Sequence, residues 1–410
     1  MLELWYNVMC LQRNRHTSKG GTAINITPGI IFAIILMFSF YGGINYYIAR
    51  KIYLWLCSFS TNLNVYIYTG TYILLALSMF LAFLPIPSSI KRVFSYISSH
   101  WMVIFVYLLL FFLASDLVVL LGRLTNLIPT PIPQSVRFCA GLVVVLLTTG
   151  FVSYGLFNAN QIKYVSYDIG LKEKTLFPEL KIVLISDLHL GAVNSEKNLS
   201  NIIQGINNLN PDIVCIAGDI FNDDLNALRN PSGAIDLFKS ITPTYGTYAC
   251  LGNHDGGKTF QEMIHFLEQS NIKLLNDEYV TVDERLVLIG RVDPSPIGGF
   301  GGLERKEITD IITSIDTSLP VVVMDHNPSN IKQYGKEVDL ILAGHTHQGQ
   351  IFPGNLITNA IFTVDYGYYR KNSDSPRVIV TSGAGTWGMP MRIGTNNEIV
   401  TITLRQETQE

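Results

Sequence analysis

Five short stretches in the second half of the chain concentrate carboxylates, imidazoles and amides. They are SDLHL (186–190), GDIFND (218–223), GNHDG (252–256), DHNP (325–328) and GHTHQG (344–349). Of eight histidines, five fall there: His189, His254, His326, His345 and His347. A single histidine beside a turn has an ordinary explanation, and Asn-Asp-Gly clusters are common turn chemistry. That explanation must hold five times over, which favours one shared site. Carboxylates, neutral imidazoles and an amide oxygen form a mixed O/N donor set that suits Mn, Fe, Zn or Co better than Mg or Ca. Two such ions about 3.5–4 Å apart lower the pKa of a shared water and clamp both oxygens of an in-line displacement. Phosphate esters are the usual substrates of such a centre. In an extended segment, Asp187-x-His189 and His345-x-His347 each put both side chains on one face, while Gly344 and Gly349 let backbone come close.

These residues need elements that bring them to one edge. Short apolar runs predict strands at 181–186, 212–217, 247–251, 285–290, 320–324, 339–343 and 377–381, alternating with polar or helix-period stretches such as the one carrying His265. The alternation predicts an α/β sandwich. The chemistry-bearing tails follow directly on five of the runs, and ligand sites in open α/β folds gather beyond the carboxyl ends of strands. Cysteines 10, 57, 139, 215 and 250 show no paired spacing; Cys215 and Cys250 lie in strand-like runs and read as small core residues.

Asp187-x-His189, Gly218-Asp219, Gly252-Asn253-His254-Asp255, His326 and Gly344-His345-x-His347 resemble, in order, the signature of the calcineurin-like metallophosphoesterases. The resemblance covers about residues 160–405 and implies an α/β/β/α sandwich with two divalent ions. It implies that Asp187, His189, Asp219 and His347 hold one ion, and that Asp219 bridges to a second held by Asn253, His326 and His345. It makes His254 the acid or transition-state stabiliser and Asp255 the residue that orients it. The family pattern prefers an acid three residues after the bridging Asp; here that position is Asn222, with Asp223 next. A second block, SGAGTWGMPMRIGTNNEIVTITL (382–404), is similar to the bacterial membrane-associated branch of YkuE/YaeI type. That similarity implies hydrolysis of a phosphodiester or pyrophosphate, with UDP-diacylglucosamine a known substrate class. Arg392 stands in this block, and a guanidinium can bind phosphate through two hydrogen bonds; a surface salt bridge is the competing role.

The first half is different in kind. Residues 1–159 carry nine Lys/Arg against two acids, a net +7, whereas residues 160–410 carry a net −10. Four runs approach the 20 or so apolar residues that a helix needs to cross a bilayer, near 28–49, 64–86, 101–122 and 138–157. A cleaved signal peptide fits poorly, because a polar stretch precedes the first run and three more runs follow it. The chain is therefore expected to be an all-α transmembrane bundle (1–159) joined to a phosphoesterase domain (160–410). Asp116 is the one acid within these spans and has no Lys or Arg within them to pair with; it receives no role.

The leading expectation is an integral-membrane, two-metal phosphodiesterase or pyrophosphatase whose substrate is lipid-linked or lies near the bilayer. A metal-dependent regulatory or binding module is the alternative, though such a module has no need of His254 beside the metals. A nuclease would share the signature, but the acidic second half has no basic run and disfavours nucleic acid as a partner. Arg13, Arg15, Lys19, Lys91, Arg92, Lys163, Lys172 and Lys174 lie on the side of the catalytic half, and Arg50, Lys51, Arg123 and Arg137 on the other. Under the positive-inside rule that bias puts the catalytic half in the cytoplasm of a bacterial cell.

Overall fold

The computed structural model describes residues 28–59, 62–81, 84, 86–171, 179–194 and 196–406. It holds two compact units that divide between Tyr154 and Gly155.

The first unit is helical: α1 (Pro28–Leu56), α2 (Val65–Leu81), α3 (Ser88–Leu124) and most of α4 (Gln134–Asn158). Three helices, Pro28–Leu56, Ser89–Leu124 and Gln134–Asn158, are long and apolar enough to cross a membrane. The 17 residues of α2 rise about 25 Å, at the short end for a span. The 87–100 stretch between the second and third apolar runs is the beginning of α3, because SSIKRVFSYISSH contains no glycine or proline to stop a helix. One expectation changes here: Asp116 does not lack a basic partner. The segment ARKIYLWL carries α1 past residue 49 to Leu56, and Lys51 there forms an ion pair with Asp116. Tyr47 Oη donates to the same carboxylate at 2.8 Å. Arg13, Arg15, Lys19, Lys172, Lys174, His16 and Cys10 lie outside the described residues.

The second unit begins in the last turn of α4 and contains two six-stranded sheets. One has the order β1 (Ile162–Leu171), β12 (Asn397–Gln406), β2 (Glu179–Ile185), β3 (Ile213–Ala217), β4 (Thr247–Cys250), β5 (Ile272–Leu274). The other runs β10 (Gly367–Tyr369), β11 (Arg377–Val380), β9 (Leu340–Ala343), β8 (Val321–Met324), β7 (Leu286–Gly290), β6 (Glu278–Val282). Within them β2–β3–β4 and β7–β8–β9–β11 are parallel, so their carboxyl ends lie at one edge of each sheet.

The two sheets face each other through Ile182, Leu184, Cys215, Cys250, Leu288, Val322, Leu340 and Ile379. The outer face of the first sheet packs on α5 (Glu196–Asn208), α6 (Pro231–Lys239) and α7 (Phe260–Gln269) through Ile202, Phe238 and Phe266. The second sheet's outer face takes Ile311 of α8 (Ile308–Ile312). The order is α/β/β/α. Strands covered on both faces read as unbroken apolar runs, which is why the seven expected strands are all present. Each such Leu, Ile or Val contributes about 1.5–3 kcal/mol by its burial. Cys215 and Cys250 are free thiols in this core.

Candidate metal centre

Each chemistry-bearing tail starts where a parallel strand stops. Asp187 and His189 follow β2, Asp219 follows β3, Asn253 and His254 follow β4, His326 follows β8, and His345 and His347 follow β9. All of these except His345 are buried. The pairs at i and i+2 do not share a face through strand pleating, as the spacing suggested. The strands have already ended, and Asp187, His189, Asp219, His345 and His347 all adopt left-handed backbone, with φ of 55°, 45°, 52°, 72° and 49°. Such φ is uncommon outside glycine and costs on the order of 1–3 kcal/mol per residue unless the surroundings hold it. Here they do: the Asp187 and His189 amides donate to the Gly218 and Asp219 carbonyls, both at 3.0 Å. The His345 amide donates to the Asp187 carboxylate at 3.0 Å. Close approach also explains two glycines, since a Cβ on Gly344 would collide with the Asp187 carboxylate and one on Gly252 with that of Asp219.

The side chains form two groups. Asp187, His189 and His347 offer one ligand atom each within 4.8 Å of one another, and so do Asp219, His326 and His345. In the first group the Nε2 atoms of His189 and His347 face each other at 3.0 Å, with Asp187 Oδ1 3.3 Å from His347 Nε2. Asp219 Oδ2, in the second group, is 3.1 Å from His326 Nε2 and also 3.6 Å from His189 Nε2 of the first. Asn253 Oδ1 lies 2.9 Å from His345 Nδ1. The donor set fits divalent cations. His326 Nδ1 donates to the Ala217 carbonyl at 2.7 Å, which leaves Nε2 as the lone-pair atom, buried without a hydrogen bond. A backbone partner on one ring nitrogen is the usual way a metal-binding histidine is oriented.

The electrostatics agree. Burial lowers the pKa of His189 and of His345 to about 3. Burial and then the Arg392 charge lower that of His347. All three are neutral, as ligands must be. Burial alone would raise Asp219, but the positive charge on His326 and His254 holds it well below the usual carboxylate range. Burial works against a charged His326 too, yet Asp219 and Asp187 draw positive charge onto it; a divalent ion would supply that charge instead.

His254 is held by a residue other than the one expected. Its Nδ1 lies 2.8 Å from Asp223 Oδ1, and the Asp223 amide donates to the His254 carbonyl at 3.1 Å. Against its burial, Asp223 and Asp219 raise the pKa of His254 to about 9. Asp255 instead accepts from the Phe221 and Gly252 amides at 2.9 and 2.8 Å, and burial pushes it up to about 7. It fastens two loops together and does not touch the imidazole. The acid displaced by one residue, Asp223 in place of Asn222, reaches His254 because Asp223 is itself left-handed, with φ of 64°. The displaced acid was the available sequence signal.

Arg392 also differs from expectation. It is fully buried and its donors meet protein acceptors: Asn397 Oδ1 at 2.7 Å, the His347 carbonyl at 2.9 Å, and the Ser382 and Gly385 carbonyls at 2.6 and 2.7 Å. Nη2 is 3.2 Å from His347 Nδ1. The guanidinium sits behind His347, its donors engaged by these protein acceptors. Sequence reasoning also passed over Asn194, whose Nδ2 donates to the Leu188, His189 and Thr386 carbonyls and braces the first tail. A lone asparagine in a loop carries no signal for that.

Comparison with known proteins places the site in context. The family model for calcineurin-like phosphoesterases matches residues 180–349. An uncharacterized metallophosphoesterase of Campylobacter jejuni is 28% identical over 92% of this chain and 98% of its own length. One from Aquifex aeolicus is 30% identical, over 55% of this chain and 85% of that protein. A transmembrane protein with a metallophosphoesterase domain from Danio rerio is 30% identical over 65% of this chain; the chain spans 62% of that protein's length.

Proposed function

The chain belongs to the calcineurin-like metallophosphoesterases, and on that premise we propose that it is a membrane-anchored hydrolase of phosphodiesters or pyrophosphates. The observation that carries this reading is Asp219 Oδ2, 3.1 Å from His326 Nε2 in its own ligand group and 3.6 Å from His189 Nε2 in the other. Asp187, His189 and His347 would hold one divalent ion, Asn253, His326 and His345 the other, and Asp219 both. Mn, Fe, Zn or Co suit these donors. When bound, such a pair supplies a hydroxide at neutral pH and a clamp on the reacting oxygens.

The chain's own residues do the rest. His254, charged because Asp223 and Asp219 stabilise its proton, stands 5.0 Å from the His189 ring, centroid to centroid. From there it can give a proton to the leaving oxygen. Asp223 fixes which nitrogen carries that task, since Nδ1 is already engaged. The apolar helices keep the enzyme at a bilayer, which favours a lipid-linked or nucleotide-lipid substrate. The catalytic unit lies on the cytoplasmic side under this reading: Lys91 and Arg92 stay near the start of α3, while Lys51 on the opposing side is paired with Asp116.

Hydrolysis by the purified, metal-analysed protein tests the activity with bis-p-nitrophenyl phosphate, p-nitrophenyl phosphate, a UDP-linked diacyl sugar and cyclic nucleotides. The diester or pyrophosphate should be cleaved in preference to the monoester, and only with a divalent metal bound. Equal hydrolysis after chelation would overturn the reading. A single cysteine at Ser373 should resist an impermeant maleimide in intact cells and react after permeabilisation; labelling in intact cells would reverse the orientation.

A further inference from the structure

The helix that follows the metal-histidine turn, α9 (Gly354–Ile361), faces the wrong way for a helix on a water-soluble surface. None of its residues is buried, and its exposed residues are Leu356, Ile357, Asn359, Ala360 and Ile361, four of the five apolar. Leu356 and Ile357 are 60% exposed, Ile361 70%, and Phe352 just before the helix 45%. Of its polar side chains, Thr358 turns inward, its Oγ1 donating to Asp365 Oδ2 at 2.8 Å. No charged residue occurs from Ile351 to Val364. A helix in water buries its apolar stripe and exposes its polar one, so this arrangement is built for another solvent.

That solvent is identified by what else the catalytic unit exposes. Tyrosines aside, its large exposed apolar side chains among the described residues are Phe352, Leu356, Ile357, Ile361 and Phe157. Phe157 lies in the last turn of the membrane helix α4. The same loop holds both places. The Arg392 amide donates to the Gly155 carbonyl at 3.1 Å, and Asn158 Nδ2 donates to the Arg392 and Thr395 carbonyls at 3.1 and 2.8 Å. A Cβ on Gly155 would press on Ile393. From the other side, the Phe352 amide donates to the Ile393 carbonyl at 2.7 Å, leading straight into α9. The point where the chain leaves its membrane helix and the inverted helix are therefore joined by one hydrogen-bonded loop.

We propose that α9 with Phe352 docks into the lipid interface of the bilayer that α4 crosses, and seats the metal-histidine turn at the lipid headgroups. Helices with one apolar face lie in that interface with the apolar side down, and a contiguous apolar surface of this kind marks an interaction site. The link to the site is rigid. The Asp365 carbonyl accepts from Thr346 Oγ1, between the two histidines, at 2.5 Å. The Phe362 and His345 rings are 6.0 Å apart, and a Cβ on Gly349 would collide with the backbone at Gly354 and Asn355. Lipid beneath α9 thus fixes the depth of His345 and His347. The inference stands on the fold and does not require the hydrolytic reading to be correct.

The test uses the full chain in phosphatidylcholine–phosphatidylglycerol vesicles, with Cys10, Cys57 and Cys139 replaced and the buried Cys215 and Cys250 retained. A nitroxide is attached in separate variants at Ile357→Cys, Ile361→Cys and, as an aqueous reference, Lys336→Cys; a cooperative thermal melt checks the fold of each. Collision with oxygen relative to a water-soluble nickel chelate should be several-fold higher at 357 and 361 than at 336. Equal ratios at the three positions would overturn the proposal. So would protection from both agents at 357 and 361, because protein, either a second copy or residues 1–27, would then cover the helix. A protein that hydrolyses nothing but shows the oxygen preference keeps this inference and loses only the catalytic one.

Discussion

The two units solve the same problem, hiding one kind of surface, against different solvents. In the helical unit Phe32, Leu36 and Leu124 are 68%, 59% and 71% exposed, while Asn45, Ser78 and Thr148 are buried. Lipid offers backbone no partners, so each helix satisfies its own amides and any apolar side chain can face out. In the second unit the aliphatic side chains are enclosed by two sheets, and buried charged residues such as Asp187, Asp219 and His326 lie beyond strand ends, where backbone ladders stop. Charge is treated differently as well. Among the described residues the helical unit pairs its acid with a base, Asp116 with Lys51, whereas the second unit gathers two carboxylates and four imidazoles in two groups that could hold metal ions. Helix α9 departs from the pattern of its own unit, exposing Leu356, Ile357 and Ile361.

The sharpest way to break this contrast is to remove the carboxylate shared by the two ligand groups. Asp219→Asn should reduce hydrolysis by roughly 10³-fold or more, beyond the 10–100-fold typical of residues that only support ligands. Metal content measured on the same sample should fall. Wild-type turnover with full metal occupancy would show that the two groups do not depend on Asp219.

His254→Ala should cut turnover by about 10²–10⁴ while metal stays bound, the range for losing a positioned acid. Metal loss with turnover restored on reloading would make His254 a ligand. A smaller effect, about 10–100-fold, is expected of Asp223→Asn, with a diagnostic pH signature. Asp223 helps raise the His254 pKa to about 9. Without that carboxylate the imidazolium loses its proton at lower pH, so the alkaline limb of the rate profile should shift toward neutrality. A profile that loses height without shifting would detach Asp223 from the proton on His254.

Arg392→Lys should weaken metal retention about 10–100-fold in a chelator titration, because a lysine cannot serve the His347, Ser382 and Gly385 carbonyls together. KM for a diester should stay near wild type once metal is saturating; a large rise in KM would return Arg392 to the substrate. The least effect on turnover belongs to the helical unit. Asp116→Leu leaves Lys51 unpaired and should lower thermal stability in lipid by on the order of 1–3 kcal/mol. Adding Lys51→Met should recover most of it, since replacing both partners of a pair costs less than breaking it. A double variant less stable than the single would mean that the two charges do not act as a pair.

Much of this was legible in order and type. The metal ligands, the seven two-sided strands and the division into a greasy and an acidic half follow from residue identity, because buried parallel strands must be apolar throughout and a metal needs O and N donors. Edge and short strands were not. β1 alternates polar and apolar residues, and β5 and β10 are three residues long, too brief for a period to declare itself; β12 was visible only through the family block. In the helical half α1 runs past its apolar run to Leu56 and α3 begins at Ser88, well before its own, because charged and polar residues continue a helix as readily as apolar ones do.

By itself the sequence determined which atoms are available: a set of oxygen and nitrogen donors, a further imidazole beside them, and enough apolar length to cross a bilayer. Tertiary structure alone decided which atoms meet. Asp223 rather than Asp255 hydrogen-bonds His254, Arg392 backs His347, and α9 turns its leucine and isoleucines outward. Each of these depends on left-handed turns and loop-to-loop hydrogen bonds between residues up to 238 positions apart. Spacing along the chain encodes local geometry. It cannot encode the direction in which a side chain points after a turn whose φ is set by distant neighbours.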